Sequence, residues 1–117
     1  MAESQYIRVE QFGKITIAEV LREKITEHEN QAVFTDLTAA ADRLGPRCAL
    51  DLGQVGFLSS AGLGGLINFH KACAAKGGRL VVFGIQDPIL GLLKLTHLDR
   101  LLVMAPDRNA AIAKAGA

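Results

Sequence analysis

The run Arg79-Leu80-Val81-Val82-Phe83-Gly84 constrains the fold more than any other stretch of this 117-residue chain. Successive strand side chains point to opposite faces, so a strand that is apolar at every position must be covered on both sides, as a central strand is between layers of helix. Cys48-Ala49-Leu50-Asp51-Leu52 reads as a second buried strand. Before it, Val33, Leu37, Ala41 and Leu44 recur at three- and four-residue spacing, with Phe34 and Ala40 flanking the same stripe, so an amphipathic helix is predicted over about residues 29–44. Asn30 or Thr26 can cap its start, and Gly45-Pro46 ends it. Strand, helix, strand in that order requires a crossover connection, right-handed by the general rule.

Upstream, Tyr6-Ile7-Arg8-Val9-Glu10 alternates apolar and polar residues, and Lys14-Ile15-Thr16-Ile17-Ala18-Glu19-Val20 is rich in β-branched ones. With Phe12-Gly13 as the turn, they predict a hairpin. Arg22-Glu23-Lys24-Ile25 then leaves the sheet. A second helix is predicted from near Ala61, with Ser60 as its N-cap and Leu63, Leu66, Ile67, His70, Cys73 and Ala74 on one face, ending at Lys76-Gly77-Gly78. A third takes Asp87 as N-cap and Pro88 as first helical residue. Leu101-Leu102-Val103-Met104 reads as the last strand, and Pro106-Asp107 caps an alanine-rich C-terminal helix. The predicted fold class is α/β: one domain over residues 1–117, its body over about 5–105 and its last helix over about 107–115. It has a mixed sheet of about five strands and about four helices mainly on one face.

Composition excludes several function classes. Thirteen basic against twelve acidic residues, with no basic cluster along the chain, predict no direct nucleic-acid partner and no electrostatic footprint for an anionic membrane. Cys48 and Cys73 are far apart in apolar segments without Cys-x-x-Cys spacing, so they read as core residues in a reducing, cytoplasmic compartment. Residues 1–5 lack the basic-then-apolar pattern of a secretion signal. The charge-free stretch 52–70 contains Gln54, Ser59, Ser60, Asn68 and five glycines, and so reads as strand, loop and helix start rather than a membrane span. Gly62-Leu63-Gly64-Gly65 is not followed by the Gly-Lys-Ser/Thr of a phosphate loop; these glycines are expected to let the helix pack closely on the sheet. Leu58 stands where a nucleophile elbow needs glycine, and His28, His70 and His97 fall in separate elements without ligand spacing. No enzyme activity, metal or cofactor is expected.

The stretch Asp51-Leu52-Gly53-Gln54-Val55-Gly56-Phe57-Leu58-Ser59-Ser60-Ala61-Gly62-Leu63 joins the central strand to the second helix and resembles the signature of the STAS domain, the fold of bacterial anti-sigma factor antagonists. In that family a strand ending Asp-Leu leads through Phe-Leu/Met-Asp-Ser-Ser/Ala-Gly-Leu into a helix. The tail resembles the family too, through Gly77-Gly78-Arg79-Leu80 and Leu95-Thr96-His97-Leu98-Asp99-Arg100-Leu101. Two departures stand out: Ser59 occupies the usual Asp position, leaving two adjacent hydroxyls, and Arg22-Glu23-Lys24-Ile25 replaces a Gly-Glu-Leu-Asp-like turn that borders the family's kinase-binding surface.

The resemblance implies a switch. The phosphorylated serine of the family falls on Ser60, with Ser59 the second choice, and Phe57, Leu58, Ser59, Ser60, Ala61, Gly62 and Leu63 form the partner-binding loop. From its place at the strand end alone, Asp51 either supports this loop by orienting its hydroxyls or is a plain carboxylate facing water. The implied partners are an anti-sigma factor that is also a serine kinase of the GHKL type, to which ATP and magnesium belong, and a phosphatase of the PP2C type. The alternative is a non-switching scaffold, such as a small subunit of a lipid-transport ABC complex or part of a stress-signalling assembly.

Overall fold

The structure is a computed structural model that describes residues 4–117, so Met1, Ala2 and Glu3 of the segment read for a secretion signal lie outside it. The hairpin pairs β1 (Ile7–Phe12) with β2 (Ile15–Val20) in a register running from Ile7 opposite Val20 to Phe12 opposite Ile15. A two-residue strand, β3 (Lys24–Ile25), leads into α1 (Glu27–Leu44). The chain then runs through β4 (Arg47–Asp51), β5 (Phe57–Leu58), α2 (Ser60–Ala75), β6 (Arg79–Phe83), α3 (Asp87–Leu95), a 3-10 turn (Leu98–Arg100), β7 (Val103–Ala105) and α4 (Arg108–Gly116). The main sheet has the order β1-β2-β4-β6-β7, with β2, β4, β6 and β7 parallel, while β3 and β5 form a separate two-stranded parallel sheet. The parallel strands all begin at the base of the molecule and end at its top, where the junction loop lies.

Period-two alternation divides the core. Ala18, Val20, Cys48, Leu50, Leu80 and Val82 face α1, α2 and α3, and Ile15, Ile17, Ala49, Val81, Phe83 and Ala105 face α4. Both faces of β4 and β6 are covered, which is why Leu80-Val81-Val82-Phe83 carries no polar residue. Among the described residues the one buried polar side chain, Thr16, donates its hydroxyl proton to the Gly45 carbonyl at 2.9 Å and so costs little.

Element ends differ from the sequence expectation where a side chain found other work. Thr26, not Asn30, caps α1: its hydroxyl accepts from the His28 N–H at 3.3 Å while the Glu29 carboxylate accepts from the Thr26 N–H at 3.2 Å. Gln86, not Asp87, is the N-cap residue of α3, which moves Asp87 and Pro88 into the first turn. The Gln86 side chain makes no cap bond because its amide donates to the Gly53 carbonyl instead, at 2.8 Å. The last strand starts at Val103 because the Leu101 and Leu102 N–H groups donate to Leu98 O to close the 3-10 turn.

Candidate functional site

The junction loop is built from the end of β4 outward. Asp51 Oδ1 accepts from the Gly53 N–H at 2.8 Å, folding the chain back at the strand end, and buried Val55 pins the loop to the core. Gln54 donates to Glu19 Oε2 at 3.0 Å and Gln86 holds Gly53 from the other side. The Glu23 carbonyl then accepts from both Gly56 N–H and Phe57 N–H, at 2.8 and 3.2 Å. In the short sheet Lys24 lies opposite Phe57 and Ile25 opposite Leu58. The inward pair is buried, and Phe57 points outward with 48% of its surface exposed.

This pairing decides which serine does what. Ser59 donates its N–H to the Ile25 carbonyl at 3.0 Å, so it is the last extended residue (φ −74°, ψ 173°) and becomes the N-cap of α2. Its Oγ accepts from the Gly62 N–H at 3.1 Å. Ser60 was the expected cap; it is instead the first helical residue, exposed, and among the described residues nothing hydrogen-bonds its hydroxyl. The N–H groups of Ser60 and Ala61 likewise have no acceptor among the described residues, as at any helix start. Asp51 supports the loop through the Gly53 backbone, and its carboxylate borders a small hollow with Arg8, Glu10, Glu19 and Arg108, away from the serines.

The helix that carries Ser60 sits close to its neighbours. A Cβ on Gly62 would lie 3.0 Å from the Ile25 carbonyl oxygen and 3.1 Å from Leu58 Cδ2. One on Gly65 would lie 2.6 Å from both Asn30 Oδ1 and Phe34 Cε2. Gly64 meets nothing within 4 Å. The glycines therefore bring α2 against β3, β5 and α1 rather than against the main sheet, as had been expected. On the helix, the buried residues are Gly62, Leu66, Phe69 and Cys73; Phe69, absent from the predicted face, packs its ring 6.5 Å from that of Phe34.

Lys24, Ile25, Glu23 and Gln86 were not among the expected site residues. A two-residue strand is too short to show periodicity, so only the Ile25 side chain hinted at burial. Burial raises both thiols, Cys73 to about 11 and Cys48 further. Among the described residues no group of three His, Cys, Asp or Glu side chains could hold a metal ion.

An outward aromatic ring, an unengaged hydroxyl and two open backbone donors thus come together on a firmly braced α/β scaffold. The family follows from comparison: residues 6–111 match the STAS domain model, and the chain belongs to that family. Solved structures agree on the fold. An anti-sigma-factor antagonist (STAS) domain protein from Planctomyces limnophilus superposes with a TM-score of 0.84 at 19% identity, covering 95% of this chain and 98% of that one. An anti-sigma factor antagonist from Mycobacterium paratuberculosis gives 0.83 at 21% identity, covering 95% and 93%. The Bacillus anti-sigma factor antagonist SpoIIAA, in its unphosphorylated form, gives 0.74 at 12% identity, covering 95% and 97%.

Proposed function

We propose that this chain is an anti-sigma factor antagonist that acts in the cytoplasm and regulates transcription by switching partners. Unphosphorylated, it binds an anti-sigma factor that is also a GHKL-type serine kinase and so frees a sigma factor. That kinase, with its own ATP and magnesium, phosphorylates Ser60 and ends the association, and a PP2C-type phosphatase restores it. The chain is the substrate and catalyses nothing. The observation that carries the reading is the division of labour between the serines: Ser59 Oγ is committed to the Gly62 N–H, whereas Ser60 Oγ is exposed and, among the described residues, unengaged.

The physics of the switch follows from the position. A phosphate on the first helical residue places nearly two negative charges where open N–H groups and the helix dipole favour an anion, so the fold tolerates it. In support, SpoIIAA is also known in its phosphorylated form, which superposes on this chain with a TM-score of 0.68 at 13% identity, covering 92% of this chain and 97% of that one. What the dianion disturbs is the interface. A hydroxyl can be buried against a partner with Phe57 and Leu63, but a phosphate there must be desolvated or expelled. A penalty of about 3 kcal/mol weakens binding roughly a hundredfold. The test is incubation with the cognate kinase and ATP followed by mapping of the phosphate by mass spectrometry. Modification on Ser60 is expected, and a chain left unmodified at both Ser60 and Ser59 would refute the proposal.

A further inference from the structure

Basic residues that are dispersed along the sequence converge in space. Lys14 precedes β2, Arg43 closes α1, Arg79 opens β6, Lys94 lies in the last turn of α3 and Arg100 sits just before β7, so all five belong to the base, and all are exposed. The acidic residues of that end are Asp42, which is paired with Lys76, and Asp99, while the top carries Glu23, Glu27, Asp51 and Asp87 together with Arg8, Arg22, Lys24 and Arg108. The near-neutral total therefore hides an uneven distribution, with the base richer in cations than the top.

Helix dipoles account for part of this, since Arg43 and Lys94 face the negative ends of α1 and α3. They do not account for the apolar side chains at the same end. Among the described residues, three of the four large exposed hydrophobics are there: Phe12 at 61%, Leu95 at 79% and Leu101 at 42%. Phe12 lies under the β1 edge and Leu101 under the β7 edge, four strand spacings or about 19 Å apart. Apolar side chains spread over that distance suit a broad surface better than a narrow groove on a protein partner. A phosphodiester backbone has no use for a protruding leucine, and the helices here present carbonyls rather than the N–H groups that bind phosphate. Cations interleaved with protruding apolar side chains match an anionic bilayer surface, with the cations at the headgroups and the apolar groups at the acyl boundary. No helix of the described residues is long and apolar enough to cross a membrane, so the contact is peripheral.

We propose that the base of the molecule is a peripheral docking face for anionic lipid bilayers, which leaves the Ser60 end pointing away from the membrane and open to partners. The proposal is independent of the phosphorylation switch. It is tested by cosedimentation of the full chain with phosphatidylcholine vesicles with and without phosphatidylglycerol. Wild-type protein is expected to pellet with the anionic vesicles, to stay in solution with neutral ones, and to be released by salt. Each cation removed, as in Lys94→Gln or Arg100→Gln, is expected to weaken partitioning about fivefold. Leu95→Ser leaves the net charge unchanged and is expected to weaken it about tenfold. All three side chains are exposed, so circular dichroism should show an unchanged fold. Wild-type protein that stays in solution with anionic vesicles would overturn the proposal. So would a Leu95→Ser, Phe12→Ser double variant that pellets like wild type, or a DNA duplex bound as tightly as the vesicles at equal salt, since either marks a general polyanion site.

Discussion

Adjacent serines with opposite roles make a sharp stability prediction. Ser59→Ala removes the side-chain cap of α2, the bond to the Gly62 N–H at 3.1 Å, and loss of such a cap costs about 1 kcal/mol. Unfolding entropy near 2.1 cal/mol/K per residue amounts to about 0.25 kcal/mol/K over 117 residues, so the melting temperature should fall by about 4 °C. Ser60→Ala removes a hydroxyl with no partner among the described residues and should leave the melting temperature unchanged within about 1 °C, since the change falls within about 0.3 kcal/mol. Ser60→Asp puts a carboxylate at the positive end of the helix and should stabilise by about 0.3–1 kcal/mol, or raise the midpoint by about 1–4 °C. The same variant should lose binding to the partner kinase, separating stability from function. Thermal unfolding followed by circular dichroism reads all three. If Ser60→Ala melts as early as Ser59→Ala, the cap lies on the wrong residue and the reasoning about a free Ser60 hydroxyl fails.

Gly65→Ala drives a methyl group into Phe34 and Asn30 and should cost about 1–3 kcal/mol, while Gly64→Ala, with open space around it, should stabilise by about 0.5–1 kcal/mol; denaturant midpoints that failed to move in opposite directions would contradict the close approach of α1 and α2. The hydrogen bonds from Thr26 hold the Glu29 carboxyl below its usual pKa, so the stability it adds is present above the unfolded value and lost as pH falls through the lower folded one. Carbon-detected NMR titration should find the Glu29 pKa low in the wild type and raised toward the ordinary range in Thr26→Ala, which loses the hydroxyl bond and keeps the backbone one. Cys73 is raised to about 11, so its contribution is intact below the unfolded thiol pKa of about 8.5–9 and erodes between there and about 11, at up to about 1.4 kcal/mol per pH unit. Urea midpoints should therefore fall more steeply above pH 9 in the wild type than in Cys73→Ala, and parallel slopes would refute the burial argument.

Much of the scaffold was legible because periodicity reports burial directly. The all-apolar Leu80-Val81-Val82-Phe83 required cover on both faces, the hairpin followed from alternation, and the spacing of Val33, Leu37 and Ala41 marked the face that α1 buries. The junction between strand and helix was also legible, since Asp51 and the glycine and serine punctuation are local signals. Its inner geometry was not legible. Ser59 and Ser60 are chemically identical neighbours, and the choice of cap depends on where the extended chain ends, which the Ser59 N–H bond to Ile25 decides across a sequence separation of 34 residues. Gln86 was taken from capping duty by Gly53 in the same way.

The sequence by itself determined the layers, the family and the identity of the loop, because these depend on patterns of apolar side chains and short motifs that act within one element. Tertiary structure alone decided which hydroxyl is free, which glycines must stay small and where the basic residues gather. Those properties arise when a parallel sheet collects the starts of distant strands and the ends of distant helices on a single surface, and no spacing along the chain records that convergence.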